Sequence, residues 1–504
     1  MLLVSYSFAA FCLALFAVYY LFPGRFQWIV LLVFSCLFYV YGGVRGIAYP
    51  LVTTGSAWLL AGQIGRQTKE AGRYMKEQGF DRIQKKAYTK QVKKKQRRLM
   101  IVGLVLNFGI LAAVKYTSFF MTLGISYYTF QAMGYLIDVY RRKYEPERNP
   151  AKLALFVVFF LQLTAGPIGR FDHMREELFR EHHFSLAGFR LGAERVLWGY
   201  FKKLVIADRI GPAAAVITGS PELYGGFFAF VGMLFHVIEL YADFSGCIDI
   251  VLGLSQMLGI TLPENFERPF FSKNLSEFWR RWHMSLMQWF REYIFFPVST
   301  SRLSQRFAKA VGRVWGRKAG SRAPVWLASL VVWFVTGIWH GASWRFVTWG
   351  LANCAVILAS QELSGVYRAF HDRFAFSNRL QYRYFEILRT CLVFGLLQML
   401  LYASVSDIFA MFLGMAAGEG LSELCSGGLL TLGLNGADYG IFLLGIFLVF
   451  FAEILGRGGS VRERLEGGPK WLCYLLFFSL FLLAITTGVY GHGYDASQFI
   501  YNQF

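Results

Sequence analysis

Apolar residues gather into thirteen stretches, near residues 2–22, 26–44, 47–64, 99–121, 124–140, 151–168, 190–208, 226–260, 325–340, 343–360, 386–414, 438–456 and 470–490. A helix crosses a bilayer in roughly 17–25 residues, so the pattern predicts about 11 spans, the remaining stretches being re-entrant or interfacial. The expected fold is all-α and polytopic. The first stretch has neither a basic leader nor a small-x-small cleavage site, and it reads as a retained span. Two segments break the apolar pattern. Residues 66–98 are polar and helix-friendly, which predicts a solvated or amphipathic helix. Residues 261–323 mix Pro263, Pro269 and Pro297 with many aromatics and frequent charges. Such a segment can lie at membrane depth only when buried in protein or along the interface. The whole chain, 1–504, therefore reads as one membrane domain with 261–323 as its inserted core.

Composition agrees with that reading and narrows the partners. A chain of 504 residues that is 56% hydrophobic cannot hide its apolar surface in water. Its net charge of +20 is concentrated in two places. Residues 66–98 hold thirteen Lys/Arg against three acids, and residues 302–322 hold seven and no acid. The positive-inside rule puts both loops in the cytoplasm and, with three spans before the first, turns the N-terminus outward. Anionic lipid accounts for most of this charge, and attraction of an anionic substrate such as coenzyme A is the lesser alternative. These charges lack interleaved aromatics, so no nucleic-acid partner is expected. The seven cysteines are scattered without C-x-x-C spacing and read as small core residues.

Candidate chemistry centres on histidine. His340 follows seventeen uncharged residues, and an ionisable group at such depth normally faces a cavity, a pathway or a partner. Imidazole titrates near neutrality and suits general-base work. Gly337 and Gly341 permit close helix approach, and Gly341-Ala-Ser343 could end the helix. A second histidine, His283, lies in the run Phe278-Trp-Arg-Arg-Trp-His-Met-Ser-Leu286, with Asn274 as N-cap and Glu277 three residues on. One continuous helix through this run would put Trp279, His283, Leu286 and Phe290 on one face. A histidine on an aromatic face is more often a packed core residue than a ligand. Two deep imidazoles among eight in the chain point instead to a single site. His236, Glu239 and Asp243 form a third cluster at i, i+3 and i+7, read as hydrogen bonding or a carboxylate that holds a His or Arg. No metal is expected there, because a catalytic zinc needs three good ligands and an open position.

With these residues in place, the sequence resembles the bacterial membrane-bound O-acyltransferases. Phe278–Leu286 followed by Trp289-Phe-Arg-Glu-Tyr293 is similar to the family's first histidine motif, and Thr336-Gly-Ile-Trp-His-Gly-Ala342 to its second. Gly124–Gln131, Thr164–Ile168, Tyr241-Ala-Asp-Phe-Ser-Gly246 and the terminal Phe499–Phe504 follow the same pattern. The branch it most resembles is the alginate O-acetyltransferase membrane subunit, with the teichoic-acid D-alanyl transferase as sister. The alginate-type Pro-Leu-Gly-Gly-x-Arg stretch is replaced here by Phe296-Pro-Val-Ser-Thr-Ser301. The resemblance implies a helical bundle enclosing a tunnel in the bacterial plasma membrane. It implies His340 as base and His283 as the group that orients the acceptor or steadies the oxyanion. Asp243, Trp339, Trp282, Ser285 and Tyr241 would support them. No bound cofactor is implied. The donor would be acetyl-CoA, or an acyl carrier protein thioester in the D-alanyl alternative. The acceptor would be an extracytoplasmic polysaccharide or a secreted SGNH-type acetyltransferase partner. A proton-coupled transporter or flippase and a non-catalytic scaffold are the competing classes.

Overall fold

The computed structural model describes residues 3–117, 124–163 and 166–490. Residues 164–165 and 499–504, which carry parts of two of the motifs, lie outside them. The described residues fold into helices without a β-strand, and one isolated antiparallel bridge joins Phe266 to Trp282. The chain is an all-α, multi-pass membrane protein. It divides into two compact units, one of residues 1–192 with 254–263, the other of residues 193–253 with 264–504.

Within the first unit, α1 (Tyr6–Leu21) packs on α2 (Gln27–Tyr41). A hairpin follows, made of α3 (Ala48–Glu77) and α4 (Arg82–Tyr116) and covered by α5 (Ile125–Arg141) and α6 (Pro150–Val158). The basic segment 66–98 is the far end of this hairpin. Both of its helices continue through the charge, and α4 starts on a capping box in which Asp81 accepts from the amides of Ile83 and Gln84. Its lysines and arginines are mostly exposed, as the sequence led one to expect.

The second unit carries the histidine motifs. Its helices are α7 (Leu186–Tyr200), α8 (Asp208–Gly219), α9 (Gly226–Met257), α10 (Leu275–Arg281), α11 (Met284–Phe290), α12 (Arg302–His340), α13 (Trp344–Glu362), α14 (Leu380–Met399), α15 (Gly436–Leu455) and α16 (Lys470–Thr487). The division between the units falls inside α7 and α9. Residues 302–322 are not a loop: they form the first half of α12, which bends at Gly316, where φ is 85°.

Six described helices are long and apolar enough to cross a membrane, or seven if the bent pair Trp344–Glu362 and Ser364–Arg373 is one span. This is fewer than the eleven or so expected from apolar stretches alone. Several of those stretches fold as shorter or interrupted helices, among them Tyr6–Leu21, Pro150–Val158 and Val405–Ala416.

Candidate active site

The two histidine motifs meet within the second unit at one cavity of about 50 Å³. His236, His283 and His340 line it, with Trp279, Trp282 and Trp349. Thr336 and Gln398 are its other polar side chains, and the remaining walls are Leu and Met. Three of the chain's eight histidines thus converge on a largely apolar hollow.

His340 is the last residue of α12. Gly341 takes an extended backbone, and Ser343 caps α13 by accepting from the Arg345 amide, so the chain reverses at once and α13 packs back on α12. Missing side chains allow the contact. A Cβ on Gly337 would stand 2.6 Å from the carbonyl oxygen of Phe346, and one on Gly350 would collide with the carbonyl oxygen of Trp333. The result is a cage of rings around His340: Trp339 at 4.7 Å, Trp349 at 5.0 Å and edge-on, and Phe346 nearly parallel at 6.3 Å between centroids. Replacing Gly350 with alanine should force these helices apart. Strain of this kind costs about 1–3 kcal/mol, so thermal unfolding of the variant should begin several degrees lower. Turnover should fall even where the protein stays folded.

His283 is held in a different way from the expected one. The single helix through 275–293 does not form. α10 ends at Arg281, Trp282 is extended, and His283 sits in the left-handed region at φ 47°, ψ 51° before α11 begins. The cause is Asn265. Its carbonyl oxygen accepts from the Met284 amide, and its side-chain oxygen accepts from the Ser285 amide and hydroxyl at 3.0 and 2.9 Å. These bonds replace the helical ones that Met284 and Ser285 would otherwise make. A non-glycine residue in this conformation costs on the order of 1–3 kcal/mol and persists only where its surroundings impose it. Trp279 and His283 therefore do not share a helical face, although both reach the cavity.

The same asparagine faces Nδ1 of His283, its amide nitrogen at 3.2 Å and its oxygen at 3.3 Å. Its side-chain oxygen is committed to Ser285, so the amide nitrogen, 3.2 Å away, donates to Nδ1. The alternative contact, oxygen to Nδ1 at 3.3 Å, would require a proton on that nitrogen and is the weaker assignment. Burial holds the imidazole, which lies outside the spanning helices, below the ordinary histidine range. With the amide nitrogen as donor to Nδ1, a neutral ring would carry its hydrogen on Nε2.

The remaining expected residues divide. Trp282 lines the cavity, Trp339 touches both imidazoles, and Ser285 acts through Asn265. Asp243 and Tyr241 do not line it. Asp243 pairs with Lys203 at 2.7 Å, and Lys203 pairs with Asp208 at the same distance. Tyr241 hydrogen-bonds Glu453 and packs its ring against Phe266, Phe270 and Trp282. Sequence reasoning did not place His236, Asn265, Trp349 or Gln398 in the site. The i, i+3 spacing of His236 and Glu239 was the visible trace of the first, and their side chains lie 3.9 Å apart. Among the described residues no group of three or more His, Cys, Asp or Glu side chains could hold a metal ion.

Comparison with known proteins places part of this region in a family. Residues 147–311 match the membrane-bound O-acyltransferase family, MBOAT, and the chain carries a domain of that family. His236, Asn265 and His283 fall inside the matched residues, and His340 lies beyond them. The chain is 31% identical over 335 residues to a probable alginate O-acetylase, AlgI, of Azotobacter vinelandii, covering 66% of this chain and 63% of that one. It is 30% identical over 321 residues to a peptidoglycan O-acetyltransferase of Helicobacter pylori, covering 55% and 58%. It is also 30% identical over 235 residues to a teichoic acid D-alanyltransferase of Streptococcus thermophilus, covering 45% and 54%. In each case the chain spans less than two thirds of the relative's own length.

Proposed function

We propose that this protein is a membrane O-acyltransferase that moves a short acyl group, acetyl, from a cytoplasmic thioester to a hydroxyl of an extracytoplasmic polysaccharide or of a secreted acyl-carrying partner. One observation carries the reading: His283 and His340, fifty-seven positions apart, line the same buried apolar cavity. A thioester is already activated, so the protein's task is to align a hydroxyl and remove its proton. His283 presents an N–H and suits the orientation of the acceptor oxygen. The base is then His340. Its proton returns to the departing thiolate, so the exchange of thioester for ester balances without a co-reactant. Apolar walls of Trp, Leu and Met limit the access of water to the thioester.

The choice of acetyl follows the relatives. Two of the three relatives above are named for O-acetylation. The bacterial plasma membrane is the proposed location. The test is acyl transfer by the purified full chain in nanodiscs with radiolabelled acetyl-CoA. Release of CoA, or label on an added glycan, is expected. Turnover with D-alanyl carrier protein and none with acetyl-CoA would overturn the acetyl assignment.

A further inference from the structure

We propose that Trp349 is a catalytic residue of this cavity, its indole N–H donating to the acyl carbonyl oxygen as that oxygen gains charge in the transition state. The inference rests on the acyltransferase reading above and adds a group that the two histidine motifs do not contain.

Indole nitrogen can only donate, and a buried donor left without an acceptor costs about 1–3 kcal/mol. Trp349 is 2% exposed, and its Nε1 is buried with no hydrogen-bond partner among the described residues. The neighbouring Trp279 shows the usual arrangement: its Nε1 donates to Asn353 at 3.0 Å. Both rings line the cavity, but only Trp279 has its donor spent on the protein. The partner assigned to this donor is an acceptor atom entering the cavity that Trp349 lines.

Position adds to this. The Trp349 ring meets the His340 imidazole edge-on at 5.0 Å between centroids, so the indole lies beside the proposed base. The ring is fixed from behind by Trp279 and Trp333, at 5.8 and 6.1 Å. A donor held rigidly in an apolar hollow needs no reorganisation during reaction, which is the condition for effective oxyanion stabilisation. The amide of Gln398 lines the same space. In the step itself, the acceptor hydroxyl oxygen bonds to the thioester carbon while its proton passes to His340. The carbonyl π pair moves onto oxygen, where the Trp349 N–H receives it. Collapse breaks the C–S bond, and His340 returns the proton to sulfur.

Trp349→Phe keeps an aromatic ring and removes the N–H. Loss of one such donor lowers kcat about 10²–10³-fold. With acetyl-CoA as the probe, we expect a kcat loss of that order, KM within about threefold of wild type, and an unchanged elution profile. Trp333→Phe, which thins the same ring stack without altering the cavity wall, should retain most activity. A Trp349→Phe enzyme with more than half the wild-type kcat would overturn the proposal, as would an equal loss in Trp333→Phe or a loss confined to KM. His340→Ala, assayed in parallel, separates the two claims. If it is inactive while Trp349→Phe is not, only the role of Trp349 fails. If it is fully active, the acyltransferase mechanism fails with it.

Discussion

Replacing His340 with alanine should reduce acyl transfer by about three to four orders of magnitude, near the upper end of what a positioned base contributes. The side chain terminates a helix instead of supporting one from the middle, and its neighbours are rings that can relax into the space. Expression, elution and melting temperature should therefore change little. Single-turnover transfer from radiolabelled acetyl-CoA, with binding of the thioester measured separately, separates chemistry from binding. Unimpaired chemistry in the variant would remove His340 from the mechanism. Impaired binding with normal chemistry would make it a donor-binding residue.

The second large effect is expected at Asn265, through a proton that changes sides. In Asn265→Asp the side-chain oxygen facing Ser285 is preserved, but the amide donor to His283 becomes an acceptor. A neutral His283 must then carry its hydrogen on Nδ1, leaving Nε2 without one. Reversing a catalytic histidine's tautomer can cost about 10⁴-fold in rate while geometry is kept, and a loss of at least 10²-fold is expected here. Asn265→Ala should behave differently. It strands the buried Ser285 amide and hydroxyl, at about 1–3 kcal/mol each, so it should lose stability as well as activity. Ring-nitrogen NMR of selectively labelled histidine would report the tautomer directly. An unchanged His283 signature together with full activity in Asn265→Asp would refute the assignment.

These expectations also show where the sequence was readable. Helical class and membrane character follow from apolar runs, because in lipid only helices and closed barrels satisfy the backbone, and continuous apolar runs of this length fit the helix. Convergence of His283 and His340 was inferable from depth and scarcity: buried imidazoles need a reason. The helix break at Trp282–His283 was not. No glycine or proline marks it, and the residues around it are compatible with a helix. The competitor is Asn265, seventeen residues before the break, whose three bonds to Met284 and Ser285 outweigh local preference. The region 302–322 misled for the opposite reason. Its charge suggested a loop, yet arginine and lysine are good helix formers, and the segment folds as two helical pieces that meet at a kink at Gly316. Trp349 was invisible as chemistry, since thirteen tryptophans in a membrane protein fit interfacial belts equally well and the sequence does not show where an indole N–H ends up.

The ion pairs behind the site bear on how the chain is made. α9 is an apolar candidate span, yet it carries Asp243 and Asp249 within its length. Each carboxylate costs a few kcal/mol at the centre of a bilayer. Their partners are Lys203 for Asp243, and Lys202 and Arg195 for Asp249, all contributed by the segment synthesised just before. As the nascent chain emerges, the cations are already in place when the acids arrive. Insertion of α9 is therefore expected to depend on the segment 195–203, whose cations neutralise its carboxylates.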